Sequence, residues 1–432
     1  MASFCRSAEI EKIIVRDPDD TKDQEVTPQV GPMAFYEDQL DASFHCEVMI
    51  FDVHGWLESF PIRSGSKVYL RIKHPTVDID FEKEPLYISN IKTAGQTDKR
   101  EFFVMQLESK AAFTNHLRRL YKKYNAPTNE VVREILTKEL EVPDSRIIDL
   151  EEPSNRIEFL GVYKRPLQTC AGLAVKSIPK NYSKKPIGQG GSGMFFWETL
   201  KGFRFQSPDQ IFAKAFEKKE EIPTYEKVAS FNALDPNNNF HLTCDPIWQN
   251  NHNLFEKLSM GQYSSQFGLF ETSTRDHIVI ERGNEAKHEY NPNTKDGDIL
   301  SNSEYFQPKE FSTMPSRHML LVKDDHLFDN SDEQDESSKT SMEHVEYEAR
   351  RQSRYSALFS QSLEVTVPLN LNLHAGAVVN LKFPRINIDK PSGGDNNPAS
   401  GYYMIKTLSH KFGSEGDFTG MQLVRDAYTK LS

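Results

Sequence analysis

Two segments near opposite ends of the 432-residue chain carry the same pattern of apolar residues, and this repeat constrains the fold more than any other feature. Residues 65–72 and 376–383 each begin with glycine and then place apolar side chains at alternating positions. Such alternation is typical of a β-strand with one buried face. The matched positions are Gly65, Val68, Leu70 and Ile72 in the first segment and Gly376, Val379, Leu381 and Phe383 in the second.

Two further blocks follow each segment in the same order. Residues 86–88 match 402–404, and residues 101–107 match 417–423. Gly376 follows Gly65 by 311 positions (376 − 65), whereas the later blocks are 316 positions apart (417 − 101), and the Gly-, Pro- and Asn-rich run 391–398 accounts for the longer connection. The aligned core positions in the last block are Phe102, Met105 and Leu107 in the first copy and Phe418, Met421 and Leu423 in the second. The pattern therefore predicts a duplicated β unit.

The predicted fold is of the α+β class and mostly β, with two related β domains near the two ends and a mixed α/β region between them. The predicted domains are a first β domain at 1–115, a helical or mixed domain at 116–230, a mixed α/β region at 231–340 and a helix with the second β domain at 341–432. The third of these contains an acidic linker near 324–336, where seven of thirteen residues are acidic.

Several shorter elements are predicted from local patterns. Helices are expected at 117–124, after Pro127, at 165–178 and at 343–362. After Pro127, Thr128 or Asn129 could cap the helix, whose buried side would carry Val131, Val132, Ile135, Leu136 and Leu140. Strands are expected at 43–52, 195–200, 203–207 and 362–368 and around 278–280.

Composition limits the classes of function. The formal net charge of -11 argues against a protein that holds nucleic acid by neutralising phosphates. No run approaches the roughly 18 apolar residues of a membrane-spanning helix, and the N-terminus has no apolar secretory segment, so we expect synthesis and retention in a cytoplasm. The widely spaced Cys5, Cys46, Cys170 and Cys244 are expected to be reduced thiols.

No motif in the chain predicts a cofactor, a metal ion or a catalytic group. The run Gly188–Gly193 has the letters of a dinucleotide fingerprint with Asp209 downstream, but no buried strand precedes it, and we interpret it as a turn. The acidic run beginning at Asp329 lacks the glycine of a calcium loop, and His241 with Cys244 has no second ligand pair for zinc. The basic run 118–123 is interpreted as a solvated helix face.

Four stretches of the chain resemble the baseplate hub proteins of contractile-tailed bacteriophages, which are related to the hub part of type VI secretion spike proteins. These stretches are 57–68, 131–140 with the following helix from Arg165, 195–207, and 402–426, and in this order they span nearly the whole chain. The acidic stretch 324–336 matches nothing typical of the family.

The resemblance implies a structural virion protein, without enzymatic activity, in the tail baseplate and assembled in the host cytoplasm. It implies that the two related β domains, at 1–115 and within 341–432, are β-barrel domains. In a homotrimeric ring, the six related barrels would adapt a three-fold central spike to the six-fold tail tube or tube-initiator protein, with baseplate wedge proteins as neighbours. DNA would pass through the ring without specific binding, and the net charge suggests an acidic lining.

Two other functions remain open from the sequence. One is a tail-associated cell-wall hydrolase with a catalytic domain in the central region, since catalytic carboxylates can meet only in the fold. The other is a β-rich carbohydrate-binding module, which the small number of tryptophans, Trp56, Trp197 and Trp248, disfavours.

Overall fold

The computed structural model describes most of the two related segments and the region that follows the first of them. The described residues are 8–56, 60, 62–97, 100–154, 156–179, 193–227, 240–250, 255, 259–260, 264–271, 277–283, 317–323, 347, 351, 355, 358–359, 361–384, 399–414 and 416–425.

Strands dominate the described residues. They are β1 Glu9–Arg16, β2 Asp23–Glu25, β3 Val30–Asp38, β4 His45–Asp52, β5 Lys67–Lys73, β6 Ile79–Asp80, β7 Leu86–Thr97, β8 Arg100–Glu108, β9 Tyr121–Pro127, β10 Ile147–Leu150, β11 Arg156–Val162, β12 Phe195–Thr199, β13 Gly202–Gln206, β14 Thr224–Glu226, β15 Ile247–Asn250, β16 Ser264–Glu271, β17 His277–Gly283, β18 Arg317–Lys323, β19 Gln361–Pro368, β20 Val378–Lys382, β21 Gly401–Phe412 and β22 Phe418–Arg425.

The described residues include four α-helices. They are α1 Lys110–Leu117, α2 Thr128–Glu134, α3 Pro166–Lys176 and α4 Pro208–Glu217. Helix α2 continues into a π-helical turn, Ile135–Glu139, and short 3-10 turns occur at Thr27–Gln29, Asp144–Arg146 and Lys219–Glu221. The fold is therefore of the predicted α+β, mostly β, class.

One 14-stranded sheet contains both related segments. Its main path runs β15-β19-β22-β21-β3-β4-β8-β7-β5-β1-β2, with β6, β14 and β20 beside it. We call β4, β8, β7 and β5 the first unit, and β19, β22, β21 and β20 the second unit. The two β-barrel domains stay a prediction. Both units belong to one sheet, and within the described strands no pairing closes either unit on itself.

Each unit buries one face of its strands in its own core. Phe35, Val48, Leu70 and Met105 belong to the core of the first unit. Val365, Val379, Ile405 and Met421 belong to the core of the second. The alternation of buried and exposed residues along β5 and β19 is the period-two pattern that the sequence predicts.

A module of helices and short strands follows the first unit. Helices α2 and α3 pack with β12 and β13 around a separate core that contains Val131, Ile135, Leu173 and Phe203. The helix predicted after Pro127 is confirmed, and its five predicted apolar residues are all buried. The cap prediction is wrong, because Thr128 is the first helical residue and no side chain caps this end.

Other local predictions have mixed outcomes. The helix predicted at 165–178 is confirmed as α3, which begins at Pro166. Proline suits this first helical position, because an N–H there would have no hydrogen-bond partner within the helix. The prediction of a helix at 117–124 is wrong, because α1 ends at Leu117 and Tyr121 begins β9, which pairs antiparallel with β11. Within 343–362, the described Tyr347, Arg351 and Tyr355 are helical.

The remaining strands form a separate sheet of β17, β16 and β18. Strand β17 confirms the strand predicted around 278–280. The acidic segment 324–336 lies outside the described residues, and the domain boundaries at 115, 230 and 340 stay predictions.

Candidate assembly site at the junction of the two units

Strand β3 joins the two units edge to edge. On one side it pairs antiparallel with β4, where Phe35 lies opposite Cys46. On the other side it pairs antiparallel with β21, from Thr407 opposite Asp38 to Phe412 opposite Met33. Paired residues at this junction are 369 (407 − 38) to 379 (412 − 33) positions apart in the chain. We call the β3–β21 pairing the seam.

The two units have the same internal pairing. In the first, Cys46 of β4 lies opposite Leu107 of β8. In the second, Leu363 of β19 lies opposite Leu423 of β22. The neighbouring strands agree as well, because β7 of the first unit pairs with β8 and β21 of the second pairs with β22. Both pairs have a register shift at the equivalent point, between Ile88 and Asn90 in β7 and between Ile405 and Thr407 in β21. The duplication predicted from the sequence is confirmed at the level of strand pairing.

The glycines that open the two segments have the same conformation and the same bond. Gly65 and Gly376 both have positive φ, 92° and 85°. The Gly65 N–H donates to the carbonyl of Ile88, and the Gly376 N–H donates to the carbonyl of Ile405, at 2.8 Å in both cases. An L side chain rarely adopts this conformation, which explains why glycine stands at both positions.

The strand pairing corrects one detail of the sequence alignment. Ile88 lies opposite Leu107, and Ile405 lies opposite Leu423, so Ile88 corresponds to Ile405. The distance between these copies is 317 positions (405 − 88), one more than the sequence comparison gives. Residues 86–88 therefore match 403–405 rather than 402–404.

Most of the predicted repeat positions lie inside the two cores. Buried among them are Val68, Leu70, Ile72, Met105, Leu107, Val379, Leu381, Phe383, Met421 and Leu423. Phe102 and Phe418 are only partly buried, on the opposite strand face, and Phe103 is the buried neighbour of Phe102. Gly65 and Gly376 lie in the turns before the strands.

A buried carboxylate holds three elements together beside the seam. One oxygen of Glu37 accepts a hydrogen bond from the backbone N–H of Leu200 at 2.7 Å, and the other accepts from the N–H of Ala375 at 2.8 Å. Burial raises the pKa of Glu37 to about 7, and the two N–H donors oppose this shift. The residue thus ties β3 of the first half to the β12–β13 turn and to the loop before β20.

The strands predicted at 195–200 and 203–207 form the β12–β13 hairpin, which is buried on both faces. Phe203 faces the core of the helical module, whereas Trp197 packs beside Ala375 in a further core shared with the second unit. The indole N–H of Trp197 donates to the carbonyl of Ala375 at 2.9 Å. The hairpin therefore fixes the second unit against the rest of the chain.

The hairpin carries two buried charged side chains, and both are paired. Glu198 accepts from the Ser109 hydroxyl at 2.8 Å and from Arg146 at 3.2 Å, and burial raises its pKa to about 7. Arg204 forms an ion pair with Asp149 at 2.7 Å. These partners satisfy charges that would otherwise be costly to bury.

An open groove of about 410 Å³ runs along the seam. Its lining includes Asp38, Asp41 and Glu364 beside Thr407 and Gln422. Within the described residues, no three His, Cys, Asp or Glu side chains are grouped as metal ligands. Apolar side chains, among them Val365 and Leu408, also line the groove.

Only some of the motifs considered in the sequence fall within the described part of the chain. Residues 188–192 lie outside the described part, while Asp209 is in the first turn of α4, which Ser207 caps by accepting from the Gln210 N–H. Cys244 is exposed, and Cys46 and Cys170 are buried free thiols. Among the described helices, none has the length and apolar character to cross a bilayer.

Comparison with known proteins gives structural relatives only. No protein-family model matches the sequence, and no curated protein matches it. The fold is similar to that of the 43 kDa tail protein of prophage MuSo2 from Shewanella oneidensis, with a TM-score of 0.53, 11% identity and coverage of 96% of this chain and 98% of that one. A tail protein from Neisseria meningitidis MC58 is also similar, with a TM-score of 0.52, 10% identity and coverage of 98% and 97%. The chain therefore has the fold of phage tail proteins, and the resemblance seen in the sequence is confirmed at that level.

Proposed function

We propose that this protein is the structural hub of a contractile phage baseplate, in which three copies form a ring around a channel. The observation that carries the proposal is the equivalence of the two units, which share strand order, register shift and the turn glycines Gly65 and Gly376. Three chains with two equivalent units each present six similar surfaces around one axis.

This arrangement solves a mismatch of symmetry. A three-fold spike can bind features that occur once per chain, whereas a six-fold tail tube needs a feature that occurs twice per chain. The helical module and the β16–β18 sheet occur once in the described chain, and the sheet unit occurs twice. A cyclic ring also reuses one head-to-tail contact around its axis.

The partners follow from that position. A central spike protein would bind below the ring, a tail tube or tube-initiator protein above it, and wedge proteins at its rim. The protein would belong to the virion and assemble in the host cytoplasm, and it would act without catalysis. DNA would pass through the channel unbound, for which the net charge of -11 is favourable.

The proposal is tested by the mass of the purified protein in solution. We expect the mass of three chains, either for the protein alone or after mixing with the spike protein encoded in the same genome, and a spike protein from an unrelated phage serves as control. A one-chain mass in both conditions, without spike binding, would contradict the proposal.

A further inference from the structure

Strand β15 occupies the same place beside the second unit that β3 occupies beside the first. Phe35 of β3 lies opposite Cys46 of β4, and Trp248 of β15 lies opposite Leu363 of β19. Cys46 and Leu363 are equivalent, because they face Leu107 and Leu423 in their units. Strand β15 is therefore the counterpart of β3, although the two share no obvious sequence pattern.

The outer edges of these two strands differ in one respect. The outer edge of β3 pairs with β21 at the seam. The outer edge of β15 pairs with no other strand in the described part of the chain. The Ile247 and Trp248 side chains of β15 are 60% and 42% exposed. Uncovered edge strands usually carry charged residues that prevent pairing with other chains, and β15 carries none.

The complementary edge is also open. The part of β21 that pairs with β3 begins at Thr407, which corresponds to Asn90 of β7. From Asn90 onward, β7 pairs with β8 on one side, and no described strand pairs with it on the other. Within the described strands, one edge of the β3 type and one edge of the β21 type therefore have no partner.

We infer that the β15 edge of one copy pairs antiparallel with the β7 edge of the next copy, repeating the seam between chains. The inference rests on the proposed ring. The seam fixes the register: Glu37 opposite Leu408 becomes Asn250 opposite Ile91, and Tyr36 opposite Ser409 becomes Gln249 opposite Lys92. The sheets of successive copies would then join, and the ring rather than the single chain would close the barrel.

The side chains at this register are compatible. The amide of Gln249 donates to the carboxylate of Glu364 at 2.7 Å on one strand face. Lys92 is exposed and would lie opposite Gln249 on that face, so its ammonium would approach Glu364. Pairing would also cover the backbone edge next to Ile247 and Trp248.

Disulfide trapping tests the register directly. Directly opposite residues on antiparallel strands have Cα atoms about 4.5–5.5 Å apart, within the roughly 4.4–6.8 Å that a disulfide spans, whereas diagonal residues are about 7–8 Å apart. The test variant carries Lys92→Cys and Gln249→Cys, with Cys5→Ser and Cys244→Ser, so that the buried Cys46 and Cys170 are the only native thiols left. The matched control pairs Lys92→Cys with Ile247→Cys in the same background.

The assembled protein is oxidised with oxidised glutathione and separated without reductant, and its mass in solution is measured in parallel. We expect the test variant to shift from one-chain to two- and three-chain species, while the control and the single variants stay at one chain. A three-chain mass in solution without crosslinking, or crosslinking by the control pair instead, would overturn the inference and leave the hub proposal standing. A one-chain mass with and without spike protein would overturn both.

Discussion

Gly65 and Gly376 make the same hydrogen bond in the two units, each donating its N–H at 2.8 Å to the isoleucine carbonyl of the neighbouring strand. Their surroundings differ. A Cβ at Gly65 would meet nothing within 4 Å, whereas a Cβ at Gly376 would lie 2.5 Å from the indole of Trp197. The space beside Gly65 is open, whereas Trp197 of the β12–β13 hairpin packs against Gly376.

We predict that Gly65→Ala and Gly376→Ala destabilise the protein unequally. Gly65→Ala should lower the free energy of unfolding by about 1 kcal/mol, through backbone strain alone. Gly376→Ala should lower it by about 3 kcal/mol, because the methyl group also overlaps the buried Trp197. Denaturant unfolding measures both, and equal losses would contradict the placement of Trp197.

Replacing Glu37 should weaken the connection between the two halves of the chain. Glu37→Ala leaves the buried N–H groups of Leu200 and Ala375 without an acceptor, at about 1–3 kcal/mol each. Glu37→Gln should cost less, since its single oxygen still accepts from one N–H. Asp41→Asn, on the exposed groove nearby, is the control and should change the unfolding free energy little. Similar losses in all three variants would argue against the double acceptor role.

The buried Glu198 predicts a dependence of stability on pH. Burial raises the pKa of Glu198 to about 7 in the folded protein, from 4.5. Its contribution is therefore fully present below pH 4.5 and is lost as the pH rises through 7, by up to about 3 kcal/mol.

The measurement compares the wild type with Glu198→Gln at each pH. Burial lowers the pKa of His374 and of His410, to about 3 and about 4, so these residues change stability in the opposite direction. The difference between the two proteins removes their contribution. We expect the advantage of the wild type to shrink from pH 4.5 to pH 7.5, and a constant difference would refute a raised pKa for Glu198.

Equivalent core positions should respond equally to truncation. Met105 and Met421 are 0% and 3% exposed and lie opposite Val48 and Val365. Met105→Ala and Met421→Ala should each destabilise the protein by about 2–4 kcal/mol. Gln106→Ala and Gln422→Ala, on the other strand face, are matched controls with smaller expected effects. A large loss at one methionine and none at the other would show that the two cores are not equivalent.

The sequence predicted the duplicated unit because its strands keep one buried face. The Gly65 and Gly376 segments alternate clearly, and both form the expected strands. The shift of one residue at 402–404 arose because β21 is covered on both faces there. Tyr403 and Ile405 belong to one core and Met404 to another, so all three are apolar and no alternation fixes the register.

Other features could not be predicted because they depend on distant residues. Residues 121–124 form a strand, since pairing with β11 outweighs the local pattern of basic residues. The seam joins strands from opposite ends of the chain, and neither β3 nor β21 carries a signal for its partner. Glu37 was missed for the same reason, because its two N–H donors come from separate loops.

Electron microscopy of the assembled hub, viewed along its axis, tests the central claim most directly. If the two units of each chain take equivalent positions, class averages should contain six similar densities at one radius around an open channel. Three densities at one radius, with the second units at a different radius, would contradict the account.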